Sequence, residues 1–170
     1  MSKVALVIGH SKKKKGASNK SLNINEFELN EKLVNDIHEK CDNSIVIYRD
    51  TLAELPNKIN QENPDYIISF HCNAFNGNVS GTETLYWHKS KNGKTLAQKF
   101  QDSMLKVLKL NDRGLVSVKY HDRGWYILRK TNAPCIIVEP FFIDNNSDVN
   151  TFKNNREEYI NELSSIINNL

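Results

Sequence analysis

DYIISFHCNAF, Asp65 to Phe75, is the stretch from which the chain is read. Tyr66, Ile67, Ile68 and Phe70 form a short apolar run, bounded by Pro64 on one side and by Asn73, Asn76 and Gly77 on the other. β-Branched and aromatic residues framed by turn formers predict a buried strand. His71 closes that strand, at the position where an open α/β sheet presents ligands to its crevice. Every other element is therefore read for what it can bring to His71.

Working outward, Val4 to Ile8 (VALVI) is a continuous apolar run of the kind buried on both faces in a parallel sheet. Ser44 to Tyr48 (SIVIY) reads as a second strand, and Pro134 opens CIIVEPFF, an apolar run interrupted only by Glu139. Between strands, Phe27, Leu33, Val34 and Ile37 recur at helical spacing from Asn25 to about Lys40. Asn25 or Asn23 can cap that helix, with Glu26 in the first turn where the helix dipole favours an acid. A short helix is expected within Leu52 to Asn63, an amphipathic one over Lys94 to Leu110, and a last one from about Phe152 to Ile167 after a turn-rich break at Asp144 to Asp148. Thr82 to Trp87 (TETLYW) alternates polar and apolar residues and predicts a strand with one wetter face, nearer an edge. Asn111 to Lys130 is loop-rich, with a short strand at Leu115 to Val118. Strands alternating with helices give an α/β class with helices on both faces of the sheet.

A chain of 170 residues without repeat or linker is expected to form one domain, 1–170, large enough for a real core. Its formal charge of +3 is too weak to imply nucleic acid. Lys12 to Lys15 reads as a solvated loop tip; Gly9 and Gly16 do not frame a phosphate-binding loop. The first strand begins almost at Met1, so no signal peptide is expected, and no run is long enough for a membrane span. Synthesis in the cytoplasm, no membrane insertion and a monomer are expected. Cys41, Cys72 and Cys135 match no zinc knuckle or CxxC pair and are expected to be reduced.

Three apolar strands close on a polar group: His10, His71 and Glu139. If these strands are parallel neighbours, all three groups lie at one carboxyl edge of the sheet. Glu26 starts the helix after the His10 loop and can return to that edge. Two histidines and two glutamates converging there suit a catalytic zinc site with three protein ligands and one open position. The remaining carboxylate then serves as acid/base, and Glu139 is the better candidate because an ionisable group inside a buried strand is costly unless paired or functional.

These residues carry a family resemblance. IGH at Ile8 to His10, Gly16-Ala17, Glu26 with Asn30 four residues on, SFHCNAF, Gly81-Thr82-Glu83 and PCIIVEPFFIDN follow the order and spacing of the zinc-dependent N-acetylmuramoyl-L-alanine amidases, the single-domain α/β type found in bacterial cell-wall hydrolases and phage endolysins. The resemblance covers essentially the whole chain. It implies a mixed, mostly parallel sheet flanked by helices, one zinc ion held by His10, Glu26 and His71, and Glu139 as catalytic acid/base. Glu28 is the alternative ligand to Glu26, but residues two apart do not share a helix face. The implied substrate is peptidoglycan, cut at the amide between the lactyl group of N-acetylmuramic acid and L-alanine of the stem peptide. Asn73, Arg123, Tyr126 and Arg129 are candidates for contacting the glycan or stem peptide. The resemblance further implies an endolysin or autolysin that reaches the wall after holin-type release, with no recognisable wall-binding module. Where the family has Gly-Gly and an Asp after the first histidine, this chain has Ser11 and the lysines, which could rest on anionic wall polymers. The rival readings are a cysteine hydrolase built on Cys72 or Cys135, and a non-catalytic zinc-dependent wall-binding module that would not need a buried Glu139.

Overall fold

All five residues of the first strand are buried, as an uninterrupted apolar run requires of a central strand. The computed structural model describes residues 2–170. Its strands are β1 (Val4–Ile8), β2 (Ser18–Asn19), β3 (Ile24–Asn25), β4 (Ser44–Tyr48), β5 (Tyr66–Phe70), β6 (Thr82–Trp87), β7 (Asp112–Val118) and β8 (Cys135–Glu139). Its helices are α1 (Glu26–His38), α2 (Leu55–Gln61), α3 (Lys91–Leu108), α4 (Trp125–Lys130), α5 (Asn146–Asn154) and α6 (Arg156–Asn168). Six strands form one sheet in the order β4-β1-β5-β8-β6-β7. The first four run parallel; β6 is antiparallel to β8 and parallel to β7. The sheet is thus mixed and mostly parallel. Because of the single reversal, β6 begins at the edge where β1, β5 and β8 end.

Side chains alternate across a strand, and here the alternation divides the core. Leu6, Ile8, Ile68, Phe70, Ile136 and Val138 pack under α1, α3, α5 and α6. Val7, Ile67, Leu85, Cys135 and Ile137 pack under the two short helices α2 and α4. The four-helix face carries the larger cluster, including the fully buried Phe100, Phe141, Phe152 and Tyr159. The two-helix face is thinner, and a cleft opens in it.

Three sequence expectations change. Thr82–Trp87 has no wet face: all six residues are buried, and the edge strand is β7. Its polar side chains face partners rather than water. Thr82 Oγ1 donates to Pro140 O at 2.7 Å, and Thr84 Oγ1 to Gln101 Oε1 at 2.9 Å. Alternation of polarity cannot tell a solvated polar group from a satisfied buried one. The expected strand at Leu115 to Val118 extends back to Asp112 through Gly114, at φ 79, where the pairing with β6 is irregular. The expected final helix is two, α5 and α6, meeting at Asn155. The turn-rich break before it is a cap: Asn145 Oδ1 accepts from the backbone amides of Ser147 and Asp148, and starts α5 at Asn146. No helix among the described residues is long and apolar enough to cross a membrane.

Candidate metal centre

Parallel neighbours with aligned ends bring three chain-distant residues to one place. β1 pairs with β5 and β5 with β8, so the loops after Ile8 and Phe70 and the end of β8 share one edge. His71 follows Phe70 and is held by its backbone amide, which donates to Val138 O at 3.0 Å. His10 follows Gly9. Glu26 is the first residue of α1, whose cap Asn25 accepts from Glu28 N, and it is 3 % exposed. The two-residue strands β2 and β3 pair antiparallel and close the loop between His10 and Glu26.

Ligand atoms of His10, Glu26 and His71 lie within 4.8 Å of one another. His10 Nε2 is 3.2 Å from Glu26 Oε2 and His71 Nδ1 is 3.1 Å from Glu26 Oε1. Ligands about 2.1 Å from a common tetrahedral ion stand roughly 3.4 Å apart, so two imidazoles and a carboxylate at these separations fit a metal such as zinc. The backbone fixes the carboxylate further: Cys72 N donates to Oε1 at 2.9 Å and Ala17 N to Oε2 at 3.1 Å. Burial pushes the Glu26 carboxyl up, but the hydrogen bonds from His10 and His71 outweigh it and hold it well below the usual range. Burial pushes the His71 ring down, toward the neutral form that ligates metal. Glu28 is not part of the cluster; it faces solvent and pairs with Lys15 at 2.5 Å.

Two glycines make the cluster possible. A Cβ on Gly9 would stand 2.2 Å from His71 Nε2, so only a bare backbone lets that ring pack against β1. Gly16, at φ 76, would bring a Cβ to 2.6 Å from Glu26 Oε2 and 2.7 Å from His10 Cδ2.

Glu139 ends β8 directly opposite Glu83 of β6. Two carboxylates adjacent on one face repel unless cations intervene. Arg123 donates to both oxygens of Glu139 and to Glu83, and Arg113 Nε donates to Glu83 Oε2 at 2.8 Å. Asn73 Nδ2 adds a bond to Glu83 Oε1 at 2.8 Å. Burial pushes the Glu139 carboxyl up to about 7, with Arg123 opposing that rise and Glu83 adding to it. Glu83 is also pushed up by burial, but its Arg113 hydrogen bond and the two guanidinium charges carry it below its usual value. Of two facing carboxylates, Glu83 is the fixed anion and Glu139 the group that exchanges a proton near neutrality.

A cleft of about 190 Å³ on the two-helix face joins these parts, lined by Gly9, Arg49, Ser69, His71, Arg123 and Glu139 among others. Strand alternation explains the grouping: Ser69 and His71, Ile137 and Glu139, and Leu85 and Glu83 fall on the same face. Cys72 falls on the other, buried in the four-helix core, its thiol pushed well up by burial. Cys135 begins β8 at the far edge, and burial pushes its thiol up to about 12. Neither supplies a thiolate, which removes the basis of the cysteine-hydrolase reading.

The four proposed substrate contacts fall in different places. Arg123 reaches the cleft but is bound to the carboxylates. Asn73 lies on Glu83, beside a neighbouring pocket of about 380 Å³ that includes the exposed Phe75. Tyr126 spends its hydroxyl on Ala53 O, at 3.3 Å. Arg129 stacks 6.0 Å from the Trp87 ring centroid near the start of β8, a strand length from Glu139. Glu83, Arg113 and Arg49 were missed by the sequence reading. Glu83 stands in the sequence only as part of the Gly81-Thr82-Glu83 segment, with no signal that it faces another carboxylate. Arg49 was legible in principle, since it follows β4 as His71 follows β5.

The family model described as N-acetylmuramoyl-L-alanine amidase matches residues 4–168. An uncharacterised cell wall amidase of Bacillus anthracis is 37% identical over 92 residues, 49% of this chain and 16% of that relative, so the match spans about a sixth of the relative's length. The crystal structure of an N-acetylmuramoyl-L-alanine amidase from Clostridium difficile 630 superposes with a TM-score of 0.83 and 26% identity, covering 99% of this chain and 93% of the other. The catalytic domain of the CD27L endolysin targeting Clostridia Difficile gives 0.82 and 25%, covering 99% and 97%.

Proposed function

Since the chain belongs to the N-acetylmuramoyl-L-alanine amidase family, we propose that it hydrolyses the amide between the lactyl group of N-acetylmuramic acid and L-alanine of the peptidoglycan stem peptide. The observation that carries this reading is a three-ligand cluster whose His71 lines one small cleft together with a buried carboxylate pushed up to about 7. His10, Glu26 and His71 would hold one zinc ion. Bound there, zinc supplies a Lewis acid for the carbonyl and lowers the pKa of a water to about 7. Glu139 takes the proton from the attacking water and returns it to the departing amine of L-alanine. Arg123, whose side chain is half exposed, swings away from Glu139 to free the oxygen that accepts the proton, while Glu83 stays fixed by Arg113. The aliphatic walls supplied by Leu55, Leu85, Ile127 and Ile137 keep bulk water from competing.

The test is digestion of purified peptidoglycan with and without a chelator, with products read by mass spectrometry. Free lactyl groups and new L-alanine amines, lost on chelation and restored by zinc, are expected. Glu139→Gln should lose cleavage by at least a thousandfold while still binding zinc by competition titration; normal turnover would sink the assignment. A non-catalytic wall-binding module would show neither result, and it gives no reason to bury Glu139 against Glu83. We place the chain biologically as an endolysin, a reading supported by its likeness to the CD27L catalytic domain. Cells producing it should stay intact until their membrane is permeabilised, and lysis without permeabilisation would refute this.

A further inference from the structure

The cleft holds one cation that makes no ion pair with a carboxylate among the described residues, although the charge of Glu26 acts on it at longer range. Glu83 and Glu139 are matched by Arg113 and Arg123, two charges against two. Glu26 is committed to the two histidines. Arg49 stands apart. It follows the edge strand β4, its guanidinium is partly buried, and its Nη1 donates to Gly9 O at 2.6 Å. Among the described residues no aspartate or glutamate forms an ion pair with it, and Asp50 beside it is taken by Lys58 at 2.9 Å. A guanidinium stays charged at any working pH, and a partly desolvated one with five donors and a single backbone partner is a site for a planar anion.

The surroundings say which anion. Arg49 lines the cleft with His71 and Glu139, and also lines an adjoining trough of about 450 Å³ with Ser11, Lys12 and Lys13. The trough thus continues from the cleft past Arg49, and its one carboxylate, Asp50, is held by Lys58. The cleft itself is small, about 190 Å³. An anion that meets Arg49 while the scissile amide meets Glu139 must lie within a residue or two of that amide. We propose that Arg49 is a specificity-determining residue that binds the free α-carboxylate of the second stem-peptide residue, a γ-linked D-glutamate, and so favours unamidated over amidated stem peptides. The proposal rests on the amidase reading above for the identity of the ligand. Lys12 and Lys13 keep the outer trough positive for the rest of an acidic peptide.

The test compares two muramoyl tripeptides that differ only in whether that α-carboxyl is free or amidated. The zinc-loaded wild type should show a kcat/KM about ten- to a hundredfold higher for the free acid, the worth of one charge-assisted hydrogen bond. The difference should sit mainly in KM. Arg49→Gln should bring the ratio close to one, and Arg49→Lys should keep part of it. Equal rates on both compounds in the wild type would overturn the proposal. So would an equal loss on both in Arg49→Gln, which would place the guanidinium on the reacting carbonyl or in the fold instead. If neither compound is cleaved, the amidase reading falls, and binding decides the anion site separately. In that case the N-acetylated dipeptides of L-alanine with D-glutamate and with its α-amide are titrated by NMR. Tighter binding of the free acid, lost in Arg49→Gln, supports the site; equal binding refutes it.

Discussion

Glu139 concentrates the cost and the use of a buried charge. Its carboxyl is pushed from 4.5 to about 7, first by burial, so the folded state binds its proton more tightly than the unfolded chain does. The stability this contributes is complete below pH 4.5 and is lost as pH rises through 7. Glutamine mimics the protonated form at every pH. In metal-stripped protein, Glu139→Gln should match the wild type near pH 4.5 and become more stable above pH 7 by up to about 3 kcal/mol, at 1.36 kcal/mol per pKa unit. Urea melts at pH 5 and pH 8 check this, and an unchanged difference between the two would refute it. The same carboxyl must be ionised to accept a proton, so activity should rise with pH through its titration. Arg123 opposes the upward shift, hence Arg123→Ala should move the acid limb of kcat/KM to higher pH and cost more activity at pH 6 than at pH 8.5. A limb that stays in place would show that Arg123 does not act on Glu139.

At the scale of elements, the site depends on how closely strands and loops approach. The end of β1 must pass against the His71 ring, and Gly9 is the residue that allows it. Gly9→Ala should weaken zinc binding at least tenfold, the effect of displacing a ligand's support, with a smaller change in the melting of the metal-stripped protein. Competition with a fluorescent chelator measures this, and an unchanged affinity would show that His71 has another route to the metal. The antiparallel insertion of β6 matters in the same way. A parallel β6 would begin at the far edge and carry Glu83 away from Glu139; only the reversal sets the two carboxylates face to face. The break at Asn155 has a simpler consequence: α5 and α6 each present an aromatic, Phe152 and Tyr159, packed edge to face at 5.4 Å in the four-helix core.

For the whole molecule, the division of labour between faces is the main result. Four helices bury the larger core and leave the two-helix face free to open as a cleft. Because His10, Glu26 and His71 come from the loop after β1, the start of α1 and the loop after β5, a metal bound by all three would bind only the folded chain. Zinc at a hundred times its dissociation constant should raise stability by about 2.7 kcal/mol, and His10→Ala should abolish most of that gain. A melting temperature indifferent to zinc would refute the ligand set. Sequence alone determined the strands VALVI, SIVIY, YIISF and CIIVE, the helix starting at Glu26 and the polar residues that end them, because burial pattern, capping and chain punctuation are local signals. The meeting of His10, Glu26 and His71 was legible as soon as parallel neighbours were assumed. Tertiary structure alone decided the partners: that Glu83 is buried opposite Glu139, that Arg123 lies on those carboxylates, that Arg129 is a strand length away, and that Arg49 makes no ion pair among the described residues. A residue's polarity is written in its own side chain, whereas what neutralises it depends on strand order and on contacts between segments tens of residues apart.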